Sequence, residues 1–227
     1  PNLALANVGK PIDQRQAKLI EGMYATQPAL SRSVAEGFAV RDTVYRTLDE
    51  EMKAASRGAV SARGFALSAS RIGTLMRDQF NLAFVDVGGW DTHVNQGGAT
   101  GYLADRIGEL GRGLAGFAEA IGPAAWRGTT VVVVSEFGRT FRENGDKGTD
   151  HGHGSIYWVM GGGVSGGRLA GEQVALSPAT LNQARDLPVL TDYRALIGGI
   201  VARQYGLGAD RLNSLFPNAK PRDLHLI

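Results

Sequence analysis

Apolar residues recur at helical spacing through the first third of the chain. They return every three or four positions between residues 11 and 79, which predicts helices over residues 11–28, 31–53 and 62–77. Their charges lie opposite the apolar stripe, so a packing role is expected for them. We expect a helical segment over residues 1–60, packed on a larger core over residues 61–227 as part of one domain.

The pattern changes to strands after residue 80. The largely apolar segment NLAFVDV at residues 81–87 predicts a strand, and the continuous apolar run at residues 131–134 and another run beginning at Ile156 predict two more. A long amphipathic helix lies between the first two runs, and a last helix begins near Asp192. A strand, a helix and a strand in this order predict a right-handed βαβ unit. The expected fold is therefore α/β, with a mostly parallel sheet between helices.

Polar residues follow the first two predicted strands. Parallel strands place their carboxyl ends at one edge of a sheet, so the loops after them should converge there. The predicted cluster of metal ligands comprises Asp91, His93, Glu136, Asp150, His151 and His153. Arg139 is a candidate catalytic group beside them.

The chemistry of this cluster favours a divalent cation. Imidazole with carboxylate suits Zn or Mn, whereas a larger share of carboxylate would favour Mg or Ca. The alternative is structural: Asp91 caps the following turn and His93 packs against Trp90. Arg139 either pairs with Glu136 or Glu143, or grips a phosphate or sulfate group with its guanidinium.

Composition limits the other possibilities. The chain has 227 residues, a formal charge of +2 and no cysteine, and its basic residues are scattered, so neither a nucleic-acid surface nor a thiolate metal site is expected. No apolar run reaches the length of a membrane span. The glycine-rich segment at residues 161–167 lacks the Lys-Ser/Thr ending of a phosphate loop. His225 is expected to be an exposed residue of the tail.

Several spaced motifs resemble one bacterial family. The strings GGWDTHVNQ, VVVVSEFGRTFRENGDKGTDHGHG, GGGVSGG and DLPVLTDYRA are similar, in this order, to the family named domain of unknown function 1501. This resemblance implies an exported protein with a twin-arginine leader, and so a periplasmic or secreted location. It also implies a fold similar to the alkaline phosphatase and sulfatase superfamily, of which this chain would be the C-terminal part.

The resemblance implies roles for individual residues. In that superfamily two metals are bound by Asp and His, and a Ser or Thr nucleophile attacks phosphorus or sulfur. Asp91 and His93 would be ligands of the first metal, to which His151 or His153 would return. Phe137 stands in place of a second-metal histidine beside Glu136. The resemblance places the nucleophile in an N-terminal half that this chain lacks. Ser135 and Thr92 are the only residues near the cluster that could replace this nucleophile, and Ser135 is the candidate catalytic residue.

The expected function is metal-dependent hydrolysis of a small anionic phosphate or sulfate ester. Without the N-terminal half, the chain should be a poor catalyst. Two alternatives to hydrolysis remain. The chain could be a non-catalytic exported binding protein whose cluster holds one structural metal or binds a ligand, or the cluster could be a purely structural polar network at the sheet edge.

Overall fold

The computed structural model describes residues 14–55 and 64–227, and these residues form six helices and four short strands. The helices are α1 (Gln14–Met23), α2 (Pro28–Ala55), α3 (Phe65–Asp78), α4 (Tyr102–Trp126), α5 (Tyr193–Tyr205) and α6 (Ala209–Leu215). The strands are β1 (Val131–Val133), β2 (Gly138–Arg139), β3 (His151–Gly152) and β4 (Trp158–Met160).

The chain divides into two compact units. The first comprises the described residues of Pro1–Phe84 together with Arg112–Ile121, and the second comprises Val85–Gly111 and Gly122–Ile227. The predicted domain boundary at residue 60 lies outside the described residues and stays a prediction.

The core of the first unit is formed by α3 and part of α4. Ile72 and Leu75 are buried on α3, and Phe117 and Ile121 are buried on α4. Each pair follows the helical spacing of three or four residues that the apolar pattern indicated. Arg77 joins the two helices as well, because its Nη2 donates a hydrogen bond to the Ala120 carbonyl oxygen at 2.8 Å.

The helices expected from the apolar spacing are confirmed within the described residues. One boundary was wrong: Pro28 was expected to end the first helix, but it is the first residue of α2. Proline suits that position because its missing N–H would have no partner in the first turn of a helix. The short helix α6 was not predicted.

The predicted parallel sheet is wrong. The described residues contain two small sheets, β1 with β4 and β2 with β3, and both pairs are antiparallel. Strands were correctly expected at β1 and β4, but residues 81–87 form no strand. The described part of the chain therefore contains neither the predicted βαβ unit nor an alkaline-phosphatase-like sheet. Phe84 in that run is 88% exposed. An apolar run indicates that a segment can adopt an extended conformation, but it does not show whether another strand will pair with that segment.

The pairing of β2 with β3 prepares the polar site of the second unit. Arg139 lies opposite His151, and Gly138 lies opposite Gly152. Side chains alternate along an extended segment, so His151 and His153 are exposed while Gly152 is buried. The two histidines therefore lie on the exposed side of this ribbon.

No described helix is both long enough and apolar enough to cross a membrane.

The contact of α3 with α4 gives a stability prediction. A Cβ atom at Gly73 would lie 2.8 Å from the Phe117 carbonyl oxygen and 2.9 Å from the Ala120 Cβ. We expect Gly73→Ala to destabilise the protein by about 1–3 kcal/mol, because the two helices must move apart. The measurement is the free energy of unfolding in urea.

Gly111→Ala is the matched control. Gly111 lies within α4, and a Cβ atom there would meet nothing within 4 Å. Alanine should be neutral or should stabilise this helix by up to about 1 kcal/mol. Equal destabilisation by both substitutions would contradict the account of the packing.

Candidate metal centre

Three side chains bring a ligand atom to one point of the second unit. Asp91 Oδ1 lies 2.9 Å from His93 Nε2 and 2.8 Å from His151 Nε2. The two Nε2 atoms are 3.1 Å apart. Among the described residues, Asp91, His93 and His151 form a group that could hold a metal ion. We call these three residues the trio.

The separations within the trio suit a small tetrahedral ion. Ligand atoms about 2.0–2.1 Å from such an ion lie about 3.3 Å from one another. The observed separations of 2.8, 2.9 and 3.1 Å would need to widen by only a few tenths of an ångström. These separations are compatible with a metal ion held by all three side chains.

Asp150 lies behind His93 and is not in the trio. His93 Nδ1 is 3.1 Å from Asp150 Oδ1, and that oxygen also accepts a hydrogen bond from Asn144 Nδ2 at 3.0 Å. A histidine that donates its Nδ1 proton to a carboxylate presents the Nε2 lone pair to a metal. Asp150 was predicted to be a ligand, and its contacts place it as the residue that orients His93.

The loop between β2 and β3 fixes the position of His93. Asn144 Nδ2 donates to the His93 carbonyl oxygen at 3.0 Å, and Thr149 N donates to the Thr92 carbonyl oxygen at 3.1 Å. A Cβ atom at Gly148 would lie 2.1 Å from the His93 carbonyl oxygen, so only glycine permits this approach. The segment with Asp91 and His93 is thereby joined to the β2–β3 ribbon, which brings His151 to them.

Arg139 is held on the same side of the ribbon by several hydrogen bonds. Its Nη1 donates to Asp91 Oδ1 at 2.7 Å, its Nε donates to Thr149 Oγ1 at 3.0 Å, and its Nη2 donates to the Thr149 carbonyl oxygen. The carboxylate that pairs with Arg139 is Asp91, and not Glu136 or Glu143, which the sequence offered as possible partners. The predicted grip of Arg139 on an anion stays a prediction.

A polar network continues beneath Arg139. Thr149 Oγ1 donates to Gln96 Oε1 at 2.7 Å, and Thr92 Oγ1 donates to the same oxygen at 2.6 Å. Thr92 is only 6% exposed. Its hydroxyl therefore belongs to the buried support of the site.

The ring of Phe137 stacks on His151. The ring centroids are 4.1 Å apart with an angle of 27° between the planes. The sequence resemblance implied that Phe137 replaces a second-metal histidine of an alkaline-phosphatase-like fold, and the described residues do not form that fold. In this fold it packs against one side of a candidate ligand and limits the orientations of that imidazole.

His153 has different partners from His151. Its Nδ1 lies 2.8 Å from Asp186 Oδ2 and 2.9 Å from Asn182 Nδ2. Asp186 is 1% exposed, and it also accepts a hydrogen bond from the His153 backbone N–H. This buried carboxylate fixes the ring of His153, which does not belong to the trio.

The remaining predicted residues lie outside the trio as well. Ser135 Oγ donates to Glu136 Oε2 at 3.4 Å. The roles of Ser135 as a nucleophile and of Glu136 as a ligand stay predictions. His225 is 80% exposed and lies 3.4 Å from Asp223 Oδ2, in agreement with the expected position in the tail.

The neighbours of Asp91 and Asp150 keep both carboxylates ionised. A hydrogen bond from His151 and another from Arg139 hold the pKa of Asp91 below its ordinary value. Hydrogen bonds from Asn144 and His93 lower the pKa of Asp150 in the same way. Both groups therefore stay negatively charged at neutral pH, which a cation site requires.

Sequence reasoning missed the residues that support the site. Asn144 opens the segment Asn-Gly-Asp-Lys-Gly, a composition typical of a turn, and this signal could have indicated a structural role for its side chain. Asp186 lies 33 residues after His153 and has no local signal that points to it.

The second unit thus has the ligand set of a metalloprotein site with two imidazoles and one carboxylate. The chain belongs to the family described as protein of unknown function, DUF1501, whose model matches residues 4–216. No curated protein and no solved structure matches the chain.

Asp186 gives a prediction about pH. Burial raises the pKa of Asp186, but the hydrogen bonds and charge of His153, together with a hydrogen bond from Asn182, outweigh it and leave the pKa below the ordinary value. The carboxylate therefore stabilises the fold above about pH 4, the ordinary range of an aspartate, and this stabilisation is lost as the pH falls through the lower folded pKa. We expect Asp186→Asn to cost about 1–3 kcal/mol at pH 6.

The measurement is urea unfolding of both proteins at pH 6 and at pH 3. The difference in stability between wild type and Asp186→Asn should narrow at pH 3. Asp146→Asn, a substitution of an exposed aspartate, is the control and should have little effect at either pH. A difference that is constant or larger at pH 3 would contradict the account.

Proposed function

We propose that Asp91, His93 and His151 bind a divalent cation, and that the protein uses this ion to hydrolyse a phosphate or sulfate ester. The observation that carries the proposal is the meeting of three ligand atoms at 2.8–3.1 Å, with a carboxylate placed behind one of the imidazoles. Zn and Mn suit this mixture of nitrogen and oxygen ligands.

Two properties favour a catalytic centre over a structural one. Structural zinc sites are usually closed by four protein ligands, whereas catalytic sites have three and leave one position open. The trio supplies three. The side chains of Asp91, His93 and His151 are 62%, 40% and 50% exposed, so a small substrate could reach an ion bound there.

The side chains have separate tasks in this proposal. Asp150 holds His93 with Nε2 directed at the ion, and Asp91 supplies negative charge in the same place. A bound divalent ion would polarise an ester oxygen and stabilise the charge that develops during hydrolysis. Arg139, with its fixed guanidinium beside Asp91, adds positive charge suited to an anionic substrate.

The nucleophile decides how efficient this site can be. Thr92 is buried and its hydroxyl donates to Gln96, while the Ser135 hydroxyl donates to Glu136. Neither contact directs the hydroxyl at the trio. We therefore propose slow hydrolysis in which a water molecule, and not the Ser135 hydroxyl, attacks the phosphorus or sulfur and the alcohol leaves.

A second candidate is a polar network without a metal. It is favoured by the ion pair of Arg139 with Asp91 at 2.7 Å, because this pair already neutralises the carboxylate. Metal binding separates the two candidates.

The first test is metal binding by the purified chain, measured by calorimetric titration with Zn²⁺ and Mn²⁺. We expect one ion per chain. His93→Ala should weaken binding by more than about 100-fold, because the loss of a residue behind a ligand alone costs about 10–100-fold. Asp150→Asn should weaken metal binding by about 10–100-fold, because His93 is still present but the carboxylate that orients its ring is lost.

His225→Ala is the matched control, since it removes an exposed histidine that lies outside the trio. It should leave the affinity unchanged. A wild-type chain that binds neither ion, or an equal loss in His225→Ala and His93→Ala, would refute the metal site.

The second test is hydrolysis of p-nitrophenyl phosphate and p-nitrophenyl sulfate with added Zn²⁺ or Mn²⁺. We expect slow turnover that needs the metal, is lost in Asp91→Asn and is unchanged in Ser135→Ala. No difference between wild type and Asp91→Asn would contradict a hydrolytic role. Loss of the activity in Ser135→Ala would show that serine is the nucleophile.

A further inference from the structure

Arg139 shares one oxygen atom with the trio. Its Nη1 lies 2.7 Å from Asp91 Oδ1, the same atom that lies 2.9 Å from His93 Nε2 and 2.8 Å from His151 Nε2. A cation held by the trio and the guanidinium of Arg139 would therefore contact the same carboxylate oxygen.

The guanidinium has little freedom to move away. Thr149 accepts two hydrogen bonds from it, one at Oγ1 from Nε at 3.0 Å and one at the carbonyl oxygen from Nη2. Only 24% of the side chain is exposed. Arginine stays protonated at every accessible pH, so its positive charge is a permanent part of the site.

A fixed positive charge affects the two kinds of ligand in opposite directions. It repels a divalent cation a few ångströms away, by an amount that corresponds to about tenfold in affinity even under strong solvent screening. It attracts an anion bound to that cation, and a guanidinium matches the oxygen spacing of phosphate and sulfate. A residue that only anchored Asp91 would instead favour the cation.

We propose that Arg139 sets the balance between metal and anion in this site: it weakens the binding of the divalent cation and strengthens the binding of a tetrahedral oxyanion to the metal-loaded protein. This inference rests on the metal site proposed above. It makes Arg139 a determinant of substrate class, because a neutral ester would gain nothing from the guanidinium.

The experiment measures two affinities in each variant by calorimetry: Zn²⁺ for the metal-free chain, and inorganic phosphate or sulfate for the Zn-loaded chain. Arg139→Gln should bind Zn²⁺ about tenfold more tightly and the oxyanions about tenfold more weakly than wild type. Arg142→Gln removes the same charge from a nearby exposed arginine and should change neither affinity.

Arg139→Lys keeps the charge and guards against a folding defect in the glutamine variant, which circular dichroism and thermal unfolding would reveal. The lysine variant should bind Zn²⁺ within about threefold of wild type, since the repulsion persists. A tenfold or greater loss of Zn²⁺ affinity in Arg139→Lys would show that Arg139 acts as an anchor of Asp91, and would overturn the inference.

The outcomes distinguish this inference from the proposed function. If the wild-type chain binds no metal, the proposed site is refuted. If wild type binds Zn²⁺ and Arg139→Gln binds it equally or more weakly, the site stands and the balancing role of Arg139 is refuted. Tighter Zn²⁺ binding without weaker oxyanion binding would overturn the part that concerns the substrate.

Discussion

A single oxygen atom, Oδ1 of Asp91, is the point on which the candidate site depends. Two imidazole nitrogens and one guanidinium nitrogen lie 2.7–2.9 Å from it. Hydrogen bonds from His151 and Arg139 to Asp91 hold the pKa of its carboxyl group below the ordinary value. The Asp91 side chain therefore stays ionised at neutral pH, and the ionised carboxylate is the form that can bind a cation.

The rest of the second unit brings these groups to Asp91. The β2–β3 ribbon places Arg139 opposite His151, so one pairing positions two of the three neighbours. The loop within that ribbon holds His93 through Asn144 and through the close approach of Gly148. Support from Thr149, Gln96 and Thr92 then fixes the guanidinium. A two-stranded ribbon and its loop therefore bring these side chains together, whereas the sequence analysis expected the edge of a large parallel sheet to do so.

This difference explains what the sequence could and could not predict. Asp91, His93 and His151, which the structure brings together, were among the six ligands predicted from the restricted chemistry of metal-binding residue types. The parallel sheet was wrong because the apolar run at residues 81–87 contains no information about its pairing partner. Asp150 was identified as part of the site, but only the geometry shows that it lies behind His93. Asp186 and Thr149 were missed because each supports a site residue through a hydrogen bond that only the folded chain brings about.

If the trio binds a divalent cation, X-ray absorption at the zinc edge will show its side chains as ligands in the chain loaded with one equivalent of Zn²⁺. We expect two imidazole nitrogens and one carboxylate oxygen at about 2.0–2.2 Å, with one imidazole absent in His151→Ala. A first shell of oxygen atoms alone, or one that is unchanged in His151→Ala, would contradict this expectation.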